Sequence, residues 1–163
     1  MGRWSLVKVI GCVAAVFAFS GAPGAAQMDR RDAHGFITAS AESLVPEGTS
    51  SSVVVMGDPS KPGMYVVRNR FAPGRGSRPH VHDQDRYVTV IKGTWWVALG
   101  PESDVYDPSK MTPVKPGGFV FHPAGGHHYD GAKDEEVIVQ IMGMGPVKTT
   151  QLEPAGAAGR GNR

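Results

Sequence analysis

The residues of this chain whose types and spacing could do chemistry are led by His80 and His82, one residue apart between Pro79 and the β-forming run Tyr87-Val-Thr-Val-Ile91. Successive side chains of an extended strand alternate faces, so both imidazoles project from one side and can meet a single ion. Imidazole nitrogen suits Fe, Mn, Zn, Ni or Cu without selecting among them. A second stretch, Gly117-Gly-Phe-Val-Phe-His122-Pro-Ala-Gly-Gly-His127-His128, sets an apolar strand before a Pro-x-Gly turn and a histidine pair beyond it. His127 and His128 are adjacent, so in an extended segment only one of them can face a site.

Together the two stretches resemble the paired motifs of the cupin superfamily, Gly-x5-His-x-His-x3,4-Glu-x6-Gly and Gly-x5-Pro-x-Gly-x2-His-x3-Asn. Gly74, His80, His82 and Gly93 fall on the first; Gly117, Pro123, Gly125 and His128 fall on the second. The resemblance implies an all-β fold, the cupin-type double-stranded β-helix or jelly-roll barrel. It also implies one divalent transition metal held by His80, His82 and His128, with His127 at the rim. Cupins that polarise a chelated carbonyl or enol include dioxygenases, lyases and isomerases, which makes a small oxygen-rich molecule the expected substrate. The alternative is a non-catalytic periplasmic module that binds a small ligand or a metal.

The chain departs from the family pattern at two positions. Arg86 stands where the ligand glutamate belongs, and Ala132 replaces the final asparagine. Arginine stays protonated and cannot ligate a cation. Facing inward, Arg86 would hold a substrate carboxylate or enolate; facing outward, it would be a solvated strand residue. Alternation groups it with Val88 and Val90 against Tyr87, Thr89 and Ile91, and because both groups are apolar, parity leaves the orientation open. Asp83, Gln84 or Asp85 would supply a replacement oxygen ligand if a bulge turned one of them inward. His122 shares a strand face with Val120 and reads either as a pocket acid/base or as a buried structural histidine. Tyr129 and Asp130 fall where they could support the third ligand, and alternation from Val137 could place Gln140 in a cavity.

These residues need elements to position them. Short β-forming runs at 52–56, 64–71, 79–82, 87–91, 94–99, 118–122 and 137–142, with one more near 111–114, are separated by Gly/Pro/Asp turns. Many short strands and no long helical pattern argue a small barrel. Residues 27–50 form an N-terminal arm with a short helix near 39–44 and a possible edge strand, 51–152 the barrel, and 153–163 a Pro/Ala/Gly-rich disordered tail. Trp95 and Trp96 must split across the two faces of their strand, and the resemblance makes the outward one a contact in a homodimer.

Residues 1–26 read as a signal peptide. Arg3 and Lys8 precede an apolar run at 9–19 too short to span a bilayer, and Gly24-Ala25-Ala26 offers a cleavage site before Gln27. The expected location is therefore periplasmic or secreted, with no membrane attachment after cleavage. Cys12 is the only cysteine, so the processed chain has neither disulfides nor thiolate ligands. Of 17 Lys and Arg, Arg3 and Lys8 leave with the signal, and the rest balance 15 Asp and Glu. A formally neutral chain carries no basic field for nucleic acid, which leaves a small molecule as the expected partner.

Overall fold

Alternating side chains and turn residues produce ten strands and no α-helix in the computed structural model, which describes residues 31–49 and 51–152. The strands are β1 (Ser52–Met56), β2 (Gly63–Phe71), β3 (His80–His82), β4 (Arg86–Lys92), β5 (Trp95–Leu99), β6 (Thr112–Val114), β7 (Phe119–His122), β8 (His128–Gly131), β9 (Val137–Gly145) and β10 (Thr149–Gln151). They pair antiparallel in two five-stranded sheets, ordered β1-β2-β9-β4-β7 and β10-β3-β8-β5-β6. The expected signal segment 1–26 and tail 153–163 lie outside the described residues.

The core fills the space between the sheets. Tyr65, Val67, Val88, Val90, Trp95, Val97, Val137, Val139 and Ile141 form its centre, each from a strand position whose neighbours face outward. In β4 the result is a clear alternation: Val88 and Val90 are buried, while Tyr87 and Ile91 are exposed. The turn from β4 to β5 requires glycine, because Gly93 has φ +72° and a Cβ there would lie 2.2 Å from the Glu136 carbonyl oxygen.

Two strands were not expected from the sequence. β8 is His-Tyr-Asp-Gly, polar and glycine-ended, yet all four residues are buried because β8 is flanked by β3 and β5. β10 is three exposed residues on a sheet edge, too short to show a pattern. In the arm, the short helix expected near 39–44 is one 3-10 turn, Glu42–Leu44, and the described residues add no edge strand to this barrel. It is attached instead by buried Leu44 and Pro46, and Arg70 donates to the Pro46 carbonyl at 3.0 Å.

Candidate metal centre

β3 carries His80 and His82 on its inward face, and β8, its antiparallel neighbour, sets His128 directly across from His80. One donor nitrogen from each of the three lies within 4.8 Å of the others, and all three side chains are buried. The Nε2 atoms of His80 and His82 are 3.1 Å apart.

Hydrogen bonds fix which nitrogen each ring offers. His80 Nδ1 lies 2.7 Å from the Arg78 carbonyl oxygen, and His128 Nδ1 lies 2.9 Å from that of Gly126. A carbonyl can only accept, so both rings carry a proton on Nδ1, and in the neutral form each presents an unprotonated Nε2. His82 Nδ1 lies 3.0 Å from Thr149 Oγ1, on the strand paired with β3. Its Nε2 accepts from Arg86 Nη1, which leaves the Nδ1 proton to go to threonine. His128 Nε2 is buried without any partner. In the neutral form the three imidazoles turn Nε2 lone pairs toward one region, an arrangement that suits a cation.

Electrostatics keep His82, His122 and His128 neutral. Burial, followed by the Arg86 charge and the neighbouring histidines, lowers the His82 pKa to about 2. Burial, then His80, lowers His128 to about 4, against an opposing push from the Gly126 carbonyl. His122 falls to about 3, through burial and then the charges of His128, Arg86 and His80.

Arg86 faces inward. It shares the buried side of β4 with Val88 and Val90, and a guanidinium nitrogen reaches His82, so the orientation that parity left open is decided by which face of β4 meets the second sheet. His122 stands directly across β7 from Arg86, its ring centroid 4.0 Å from that of His128 and 5.9 Å from Trp95. It is 3% exposed, and neither ring nitrogen has a partner. His122 is not among the three histidines whose donors converge.

Other expectations are met in part. Asp83 and Asp85 are exposed and supply no replacement ligand; they accept from the backbone N–H of Lys148 (2.7 Å) and Ala124 (2.8 Å), fixing the turn between β3 and β4. Gln140 faces outward, where it accepts from Arg68 Nε at 3.1 Å, because Val139 and Ile141 take the inward positions of β9. Tyr129 lies behind the sheet in a separate cluster with Ala98 and Met111, its hydroxyl donating to the Asp107 carbonyl at 2.8 Å. His127 is half-buried at the rim against Asp104. Trp95 is the inward member of its pair, and Trp96 packs outside with Lys133 Nζ 3.6 Å from its ring centroid.

Asp130 is the carboxylate that the sequence left least defined. Two residues after His128 on the same face of β8, it lines the cavity with His80, His82 and Arg86. Ser77 Oγ donates to its Oδ1 at 3.1 Å, and burial raises its pKa above the ordinary carboxylate range, opposed by His80, Ser77 and Arg86. Two glycines allow this approach: a Cβ on Gly76 would lie 2.4 Å from the Asp130 carbonyl oxygen, and one on Gly131 would lie 2.5 Å from Gly76 Cα. The cavity measures about 320 Å³. A larger cleft of about 610 Å³ beside Arg70 and Arg75 is lined by no histidine or carboxylate.

The fold is a cupin-type double-stranded β-helix, here built around a three-histidine cluster that could hold a metal ion. Among solved structures it is similar to a conserved Klebsiella pneumoniae protein with a double-stranded β-helix domain, at 21% identity and TM-score 0.54 over 72% of this chain and 97% of the other. A cupin 2 domain-containing protein from Halorhodospira halophila gives 18% identity and TM-score 0.52 over 67% and 73%. The DMSP lyase DddQ from Ruegeria pomeroyi gives 15% identity and TM-score 0.53 over 64% of this chain, which spans about half (52%) of that lyase. No family model matches the sequence, and no curated protein matches it.

Proposed function

We propose that this protein is an exported, metal-dependent cupin enzyme that acts on a small oxygen-rich molecule bound beside His80, His82 and His128. One observation carries the reading: three buried imidazoles, each with Nδ1 held by an oxygen, bring their Nε2 atoms to a common region, where that of His82 meets Arg86. A divalent transition metal held there would supply Lewis acidity toward a carbonyl, enol or carboxylate oxygen. The residues around it orient and shield. Arg86 supplies positive charge next to His82, and with a metal held by His80, His82 and His128 its guanidinium would be available to pair with a substrate oxygen. Val88, Val139 and Ile141 give the cavity an apolar wall, against which a bound molecule would lose part of its water and make stronger polar contacts. Oxidative cleavage, elimination and isomerisation are the reaction classes this arrangement serves. A homodimer is part of the proposal, supported by the exposed Tyr87, Phe119, Phe121 and Met142 on the outer face of the first sheet.

The test begins with elemental analysis of the exported protein purified without a metal-binding tag, together with its N-terminal mass. A chain starting near Gln27 and carrying one equivalent of a transition metal is expected. Metal-dependent turnover of a carbonyl or diol substrate separates an enzyme from a binding module, which would gain thermal stability from its ligand and leave it unchanged. A wild-type protein that takes up no transition metal overturns the reading.

A further inference from the structure

Three residues that line the cavity beside the histidines carry buried polar atoms that the protein leaves without partners. Arg86 Nε, Trp95 Nε1 and both ring nitrogens of His122 are buried and unpartnered, and all three residues line the same space. A neutral imidazole bears one N–H, so His122 contributes one donor and one bare nitrogen. Native proteins rarely bury donors in this state, because each loses its water without compensation. Here three strands bring such donors together: Arg86 and His122 face each other across β4 and β7, and the Trp95 ring on β5 lies 5.9 Å from His122.

The charge of the set selects the acceptor. One donor belongs to a permanently protonated guanidinium with apolar Val88, Val139 and Ile141 on the same cavity wall, where an anion is favoured over a neutral oxygen. Asp130 is the cavity's own carboxylate, but Ser77 holds its Oδ1 and Arg86 Nε remains unpaired. The unpaired donors therefore suit a carboxylate that comes from outside.

We infer that Arg86, His122 and Trp95 form a subsite for the carboxylate of a small organic acid, next to the three-histidine cluster. The inference deepens the metal-centre reading and rests on it only for the substrate's second group: an acid with an oxygen on the adjacent carbon would direct that oxygen toward the Nε2 cluster. The volume of about 320 Å³ corresponds to about ten waters, a size that suits a small organic acid.

The test uses metal-free protein, prepared with a chelator and dialysed, and titrated by calorimetry and NMR with acetate, pyruvate and the neutral isostere acetamide at constant ionic strength. Both acids should bind at least about 10-fold tighter than acetamide, the order expected of a charge-assisted pair. Arg86→Gln and His122→Leu should each lose about 10-fold in acid affinity with the far-ultraviolet circular dichroism unchanged. Trp95→Phe keeps the ring volume nearest to the original and should lose about 3-fold, which provides a second readout if the His122 variant fails to fold. Equal affinity for acetate and acetamide in the wild type, or undiminished acid binding by Arg86→Gln, overturns the subsite. Acid preference without metal uptake would sink the metal reading and leave the subsite standing; metal uptake without acid preference would do the reverse.

Discussion

Lowering the pH from about 7.5 to about 5.5 should destabilise the metal-free protein by about 4 kcal/mol, and the structure gives the reason. His82, His122 and His128 titrate near 2, 3 and 4 when folded, against 6.5 for an ordinary imidazole. The unfolded chain therefore binds more protons than the folded one throughout the interval between those values. Stability must rise with pH across that interval and fall as acid is added. One pH unit below 6.5, each unfolded imidazole gains about 1.4 kcal/mol from protonation that its folded counterpart cannot take up, so three give about 4 kcal/mol. The figure requires only that the folded values stay below about 5. Asp130 works in the opposite sense: its raised pKa favours the folded state at low pH and offsets part of the loss at the acid end.

Urea unfolding followed by tryptophan fluorescence, in the presence of a chelator at both pH values, measures the difference. A total stability of about 5–15 kcal/mol makes a 4 kcal/mol change large. His122→Leu removes one of the three contributors and should shrink the pH effect by about one third. A stability that does not change with pH, or an undiminished drop in the variant, would falsify the argument that these rings are buried neutral.

Three further outcomes are expected. Alanine at His80, His82 or His128 should lower divalent-metal affinity by about 10-fold or more in calorimetric titration, whereas His34→Ala, at an exposed position of the arm, should leave it unchanged. Thr149→Val removes the acceptor of the His82 Nδ1 proton, so metal affinity should fall by about 10-fold with no change in the unfolding midpoint beyond about 1 kcal/mol. Gly131→Ala places a Cβ 2.5 Å from Gly76 Cα and 2.6 Å from the Arg75 carbonyl oxygen. It should cost about 1–3 kcal/mol in urea unfolding, and an unchanged midpoint would mean that β8 and the segment at 75–77 separate freely.

Local spacing in the sequence was enough for the parts of this protein that depend on local geometry. The alternation of an extended chain put His80 and His82 on one face, and the Pro123-Ala-Gly125 turn delivered His128 toward them. Turn residues at Gly57 to Gly63 and at Gly93 divided the chain into strands close to those observed. Each of these features is settled within a few residues by backbone sterics and period, and needs no knowledge of what lies opposite.

What the tertiary structure decided is the identity of the face that points inward. Arg86 and Tyr87 are equally compatible with β4 as a strand; only the packing of β4 between β9 and β7 against the second sheet turns the arginine to the histidines and leaves the tyrosine exposed. The same holds for Gln140, displaced outward because Val139 and Ile141 fill the core, and for Thr149, which meets His82 only because β10 pairs with β3 across 67 residues of chain. Asp130 was hidden in a polar strand whose burial comes entirely from its neighbours. A strand's period says which side chains go together, whereas the side that loses its water is set by partners remote in sequence, and burial is what keeps His82, His122 and His128 neutral.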